Sequence, residues 1–137
     1  MSLGEISFCF LNYVAKDTNP SLPKNAEVYL NMFEVDTVLD EVNYYKRITD
    51  KVILCLHWGG NVENGMYPDW DQPKIANALL SAGADAIVGH HSHTLQPFER
   101  YKGKYIFYSL GNFCFDDIIF ENKLYHKLTK KNKESVI

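Results

Sequence analysis

The sequence predicts an α/β fold organised around a parallel sheet. Two continuous apolar runs carry that prediction, KVILCLHW (51–58) and ADAIVG (84–89), and a well-marked helix lies between them. Apolar runs of this length suit strands covered on both faces. A strand, a helix and a strand joined by short connections imply a right-handed parallel crossover.

The elements follow in order. EISFCFLNYV (5–14) alternates Ile6, Phe8 and Phe10 with polar or small residues and then turns wholly apolar, so it reads as a strand that begins almost at residue 4. TNPSLPKN (18–25) is a turn-rich loop. From Val35 to about Ile48, the residues Val35, Val38, Leu39, Val42 and Tyr45 keep helical spacing. Asp36 and Asp40 near the start of that helix and Lys46 and Arg47 near its end suit its dipole. After KVILCLHW comes a Gly-rich loop, GGNVENGMYPDWD. The next helix is announced by Asp71 as N-cap and Pro73 in the first turn, runs through KIANALLSA, and ends at Gly83. ADAIVG is the next strand, and KYIFYSLGNFCF (104–115) reads as another. The terminal ESVI (134–137) looks like the start of one more strand, which together with the abrupt first strand suggests a piece of a longer protein.

Composition narrows the function classes. A chain of 137 residues, 46% hydrophobic and 23% charged, fits one globular domain. A net charge of −3 gives no field for holding nucleic acid or an anionic membrane, and the basic tail KLTKKNKE reads as a solvated end. No apolar run approaches the ~20 residues of a membrane helix, and no targeting segment is evident, so the chain is expected to be soluble. Cys9, Cys55 and Cys114 lie inside apolar runs, with neither zinc-ribbon nor disulfide spacing, and read as small buried hydrophobes.

The chemistry concentrates at strand ends, where open α/β sheets bind ligands. His57 follows VILCL, the cluster His90, His91 and His93 follows AIV, and Ser109, Gly111 and Asn112 follow IFY. In an extended segment, His91 and His93 would share one side and His90 would point the other way. Neutral imidazole is a common ligand for zinc and iron and, with carboxylates, for manganese. His57, His91 and His93 are therefore candidate metal ligands. A lone histidine at a strand end is more often a hydrogen-bonded structural residue, and it is the convergence of three that favours metal. No G-x-S-x-G elbow is present, Ser92 and Ser109 lack an evident base, and Asp71 and Asp85 are better explained as a helix cap and a strand start. Metal-activated water attacking a phosphoryl or acyl centre is favoured over covalent catalysis.

His57-Trp58-Gly59, Pro68 and Gln72, Gly83-Ala84-Asp85, Gly89-His90-His91-Ser92-His93 and Ser109-Leu110-Gly111-Asn112-Phe113 form an ordered block. It resembles the C-terminal half of the bacterial capsule-synthesis and poly-γ-glutamate-synthesis (CapA-like) proteins. The resemblance spans about residues 4 to 116. It implies the C-terminal half of a calcineurin-like metallophosphoesterase α/β/β/α sandwich, so residues 1–137 would be a partial domain whose N-terminal half is absent. It assigns His57, His91 and His93 to the metal site, the last two split between two ions. His90 and Asn112 become candidate catalytic residues, and Ser109 would lie near the site.

The implied cofactor is a divalent metal (Mn, Zn or Fe). The implied partners are an anionic capsule polymer or its precursor and membrane synthase components, with a cell-surface, membrane-anchored parent. Asn61 stands where the family usually has Glu, with Glu63 beyond it. The missing half would supply the Gly-Asp and Asn-His motifs, including the bridging carboxylate. This chain alone is therefore expected to bind at most one metal weakly, to show little or no catalysis, and to self-associate through an exposed sheet edge and apolar face. The alternative is a non-catalytic module that binds polymer or synthase and carries vestigial histidines.

Overall fold

The computed structural model describes residues 2–61, 63–113, 118–120 and 123–125. Its main sheet has six strands: β1 (Ser2–Leu3), β2 (Ile6–Val14), β3 (Lys51–His57), β4 (Ala86–His90), β5 (Phe98–Tyr101) and β6 (Lys104–Phe107), in the order β1-β2-β3-β4-β6-β5. β2, β3, β4 and β6 run parallel, and β1 and β5 add antiparallel edges. Helix α1 (Val35–Lys46) connects β2 to β3, and α2 (Gln72–Ala82) connects β3 to β4. A separate hairpin pairs β7 (Ile118–Phe120) with β8 (Lys123–Tyr125). The α/β fold expected from the two apolar runs is the fold observed.

The core lies between the sheet and the two helices. Val52, Leu54 and Leu56 of β3, Ile87 of β4, Ile106 of β6, Val38 and Val42 of α1 and Leu79 of α2 are all 0% exposed. Asp85, just before β4, pins this layer together. Its carboxylate accepts from Lys46 Nζ at 2.9 Å and from the Val52 N–H at 2.9 Å, with Lys51 Nζ at 3.5 Å. Burial pushes this carboxyl up, but Lys46, the Val52 N–H and Lys51 outweigh burial and hold it below the usual carboxylate range. Lys104 closes the far end of α2 by donating to the Leu80 and Ala84 carbonyls at 2.7 and 2.6 Å.

Several expectations need correction. β3 and β4 are covered on one face only: β3 alternates buried Val52, Leu54 and Leu56 with half-buried Ile53 and Cys55. Successive right-handed crossovers from β2 to β3 to β4 step in one direction across the sheet, and this places both helices on the same side. Among the described residues the helices cover one face, and the other is half-buried. Cys9 and Cys55 are half-buried: Cys55 faces the open side, and Cys9, in register with Val52, lies against the core; Cys114 lies outside the described residues.

The first strand does not begin abruptly, since β1 precedes it through a tight turn in which Gly4 takes φ +64°. The stretch from 104 onward is a hairpin partner before it is a run-on strand. β5 and β6 meet at Lys102-Gly103, both with positive φ (48° and 83°), the geometry of a two-residue type I′ turn. Asp71 occupies the N-cap position of α2, but its side chain makes no capping bond. Gln72 Oε1 instead accepts from the Asp69 N–H at 2.6 Å, and Gly83 ends the helix at φ +134° as expected. The ESVI segment lies outside the described residues.

Candidate metal centre at the strand ends

Parallel pairing aligns the ends of β3 and β4 so that His57 stands in register with His90. Strand alternation places both on the face opposite the helices, in line with Ile53 and Cys55 on β3 and with Ala86 and Val88 on β4. After His90 the backbone turns sharply, with His91 at φ 116° and His93 at φ 57°. This segment is not extended, so the period-two argument that put His91 and His93 on one side fails. The two imidazoles go to different partners.

His91 meets His57. Nδ1 of His91 lies 3.1 Å from Nε2 of His57, with ring centroids 4.9 Å apart. Burial, followed by the neighbouring His91, His90 and His93, lowers the His57 pKa below the ordinary imidazole value, and burial does the same for His90. Both shifts favour the neutral ring, which is the form that ligates metal.

His93 meets Asn112. Its Nδ1 lies 2.8 Å from Asn112 Oδ1, and Asn112 Nδ2 donates back to the His93 carbonyl at 3.3 Å. An amide oxygen can only accept, so Nδ1 of His93 is the donor in this contact. Nε2 of His93 points toward Glu63, 3.8 Å away. An oriented imidazole held through its other nitrogen is the arrangement by which proteins fix metal-binding histidines. Asn112, expected as a catalytic residue, is thus placed as a partner of His93. His90 stands at the same edge beside His57.

The fit to a metal can be tested on the first pair. Two nitrogens each ~2.0–2.1 Å from one zinc ion stand roughly 2.9–3.4 Å apart, depending on the angle between them. The His57–His91 separation of 3.1 Å falls within that window. The same 3.1 Å is the length of an imidazole–imidazole hydrogen bond, in which one ring donates to the other, and among the described residues no group of three or more His, Cys, Asp or Glu gathers as a ligand set.

The neighbouring polar residues bond within and between the loops. Ser92 and Ser109 are both 2% exposed, and their hydroxyls serve turns: Ser92 donates to the Thr94 carbonyl and Ser109 accepts from the Gly111 N–H. Asn61 is turned to Asp69, bonding Oδ2 through its side chain at 2.9 Å. Buried Gln96 donates to the carbonyls of Gly65 and Tyr67, fastening the loop that carries Glu63 against the histidine loop, and Asn64 N–H adds a bond to the Ser92 carbonyl. Sequence reading missed Gln96, and nothing in its neighbourhood would have signalled it. An apolar hollow of about 560 Å³ is lined by Met66, Tyr67, Leu95, Phe98, Phe107 and Leu110, among others.

The sequence profile of the bacterial capsule synthesis protein PGA_cap family matches residues 2–117. The chain belongs to that family. It is 41% identical over 116 residues, 84% of its own length, to a protein of Bacillus subtilis named PGA biosynthesis protein CapA. It is 52% identical over 67 residues, 49% of its length, to a capsule biosynthesis protein CapA of Bacillus anthracis. A probable polyglutamine synthesis accessory protein of Mycobacterium tuberculosis is 38% identical over 77 residues, 56% of this chain. The chain spans only 28%, 16% and 20% of these three relatives. Among the described residues of this PGA_cap member, no helix is long and apolar enough to cross a membrane.

Proposed function

We propose that this chain is part of a metal-dependent hydrolase of capsule polysaccharide or poly-γ-glutamate biosynthesis, and that it contributes the histidine pair His57–His91 to the metal centre. The observation that carries the proposal is the 3.1 Å approach of the two imidazoles from the ends of adjacent parallel strands. Involvement in capsule or polyglutamate synthesis is supported by family membership and by the names of the relatives.

In this reading His57 and His91 hold one divalent ion (Mn, Zn or Fe) as neutral donors, and His93 offers Nε2 to a second position. A bound cation would acidify a water and polarise a phosphoryl or acyl oxygen. Asn112 keeps the proton of His93 on Nδ1. His90, in register with His57 at the open edge, would exchange a proton with substrate. The ligand set needs carboxylates, which this reading assigns to the part of the domain beyond this chain. That part would cover the open sheet face and so meet the histidines directly. The substrate is an anionic capsule polymer or its precursor, in a parent anchored at the cell surface with membrane synthase components. Alone, the chain binds metal weakly and self-associates through its open face.

The test is hydrolysis of phosphodiester and amide model substrates by the full-length parent, with metal added or chelated, beside its His91→Ala variant. Metal-dependent turnover lost in the variant supports the hydrolase. The second reading is a polymer- or synthase-binding module, favoured by Asn61 in place of the family's Glu. Capsule assembly unaffected by His91→Ala in cells would establish it and sink the first.

A further inference from the structure

We infer that Trp58 is a positioning residue whose indole N–H, reaching past Gly89 to the Tyr108 carbonyl, sets the spacing of the His57–His91 pair. This rests on the reading of that pair as metal donors. Trp58 follows His57 directly, so the two side chains leave β3 on opposite faces: the imidazole on the open side, the indole on the helix side, 3% exposed. Its Nε1 donates to the Tyr108 carbonyl at 3.1 Å. Tyr108 follows β6, two strands away from β3, which at ~4.8 Å per strand spacing is a span of roughly 9–10 Å. An indole can cross that distance and still present a donor, whereas Phe of similar reach has none.

The intervening strand is built to let the indole pass. A Cβ on Gly89 would lie 1.9 Å from the Tyr108 oxygen and 2.6 Å from Trp58 Nε1, so only glycine leaves room for this bond. Around the crossing, each neighbouring strand end is tied to the next. The Trp58 N–H donates to the His90 carbonyl at 3.2 Å, and the Leu110 N–H to the Gly89 carbonyl at 3.1 Å. The indole stacks on the Tyr108 ring at 6.2 Å and meets Phe33 edge-on at 6.1 Å. The ends of β3, β4 and β6, which lead to His57, His91 and Asn112, are thereby fixed to one another by two backbone bonds and the buried indole that spans them. A change of a few tenths of an ångström in that frame carries straight into the gap between the two imidazole nitrogens.

The test compares Trp58→Phe with Tyr13→Phe. Tyr13 is also buried on this sheet, and its hydroxyl donates to Glu41 of α1 and not to the Trp58–Tyr108 crossing, so Tyr13→Phe removes that bond and keeps the ring against Phe33. Ring-nitrogen NMR signals of His57 and His91 are read at fixed pH without metal, and zinc affinity is then read by titration. The expected result is displaced His57 and His91 signals and a 10–100-fold loss of zinc affinity in Trp58→Phe, the range usual for groups that orient ligands, with neither change in Tyr13→Phe. Unchanged ring-nitrogen signals in Trp58→Phe would overturn the inference.

A native chain that binds no zinc, but whose ring signals still move in Trp58→Phe, leaves the metal reading to the full-length parent and upholds the positioning role. If Trp58→Phe does not fold, benzothienylalanine at position 58 in a Trp70→Phe background keeps the indole's shape without its N–H. It is read against the same two outcomes.

Discussion

The two faces of the main sheet differ as a core differs from a surface. On one, α1 and α2 bring Val52, Leu54, Leu56, Ile87 and Ile106 to zero exposure. On the other, Ile6, Phe10, Tyr105 and Phe98 remain 47%, 49%, 43% and 63% exposed, and the same face carries His57 and His90 at its carboxyl edge. The covered face accounts for the fold. The open face carries the histidine edge together with an apolar surface that one-sided crossovers leave uncovered by helices among the described residues. In the proposed reading, whatever covers the open face also meets the histidines, so completing the core and completing the site would be one event.

Substitutions should separate the faces. On the covered side, Leu54→Ala removes a fully buried side chain from the centre of β3 and should cost about 2–5 kcal/mol in denaturant unfolding. Next, Asp85→Ala strands the Val52 N–H and Lys46 and should cost about 1–3 kcal/mol by the same measurement. The Asp85 carboxyl is held below its unfolded value, so its contribution is present above the usual carboxylate range and is lost as pH falls through it. The variant's stability should therefore vary less with pH at the acid end.

The histidine edge should show an acid response of its own. Burial and neighbouring imidazoles keep the His57 pKa below the ~6.5 of an unfolded imidazole. The folded state then binds fewer protons than the unfolded one across that window. Stability contributed by neutral His57 is present above pH ~6.5 and is lost as pH falls below it, so thermal midpoints should drop there and His57→Gln should flatten the drop. Smallest of all, Phe10→Ser on the open face should change stability by no more than ~0.5–1 kcal/mol. Its effect should appear instead in sedimentation, as a larger monomer fraction. A cost like that of Leu54→Ala would mean that the open face is as much a core as the covered one.

Much of this contrast was legible in the chain. The helical spacing from Val35, the stop at Gly83 and the apolar runs of β3 and β4 placed the elements to within a residue or two, because each signal is local. The convergence of His57, His91 and Asn112 on one edge followed from parallel topology, since parallel strands end together. What stayed hidden depends on backbone or long-range geometry. His91 and His93 adopt left-handed conformations that no spacing rule anticipates, so the partnership of His91 with His57 could not be read from H-x-H. One-sided burial came from crossover handedness and not from hydrophobicity. The β5–β6 hairpin did leave a signal, Lys102-Gly103 between FERY and KYIF, which reading KYIFYSLGNFCF as one strand passed over. Gly89 inside an apolar strand likewise marked a close approach, here of the Trp58 indole.

The most direct test of the account is zinc and manganese titration of the purified chain by calorimetry, with His57→Ala and His91→Ala alongside. The account predicts at most one weakly bound ion, lost in both variants alike because the two imidazoles share it. Binding that survives either substitution would contradict the His57–His91 centre.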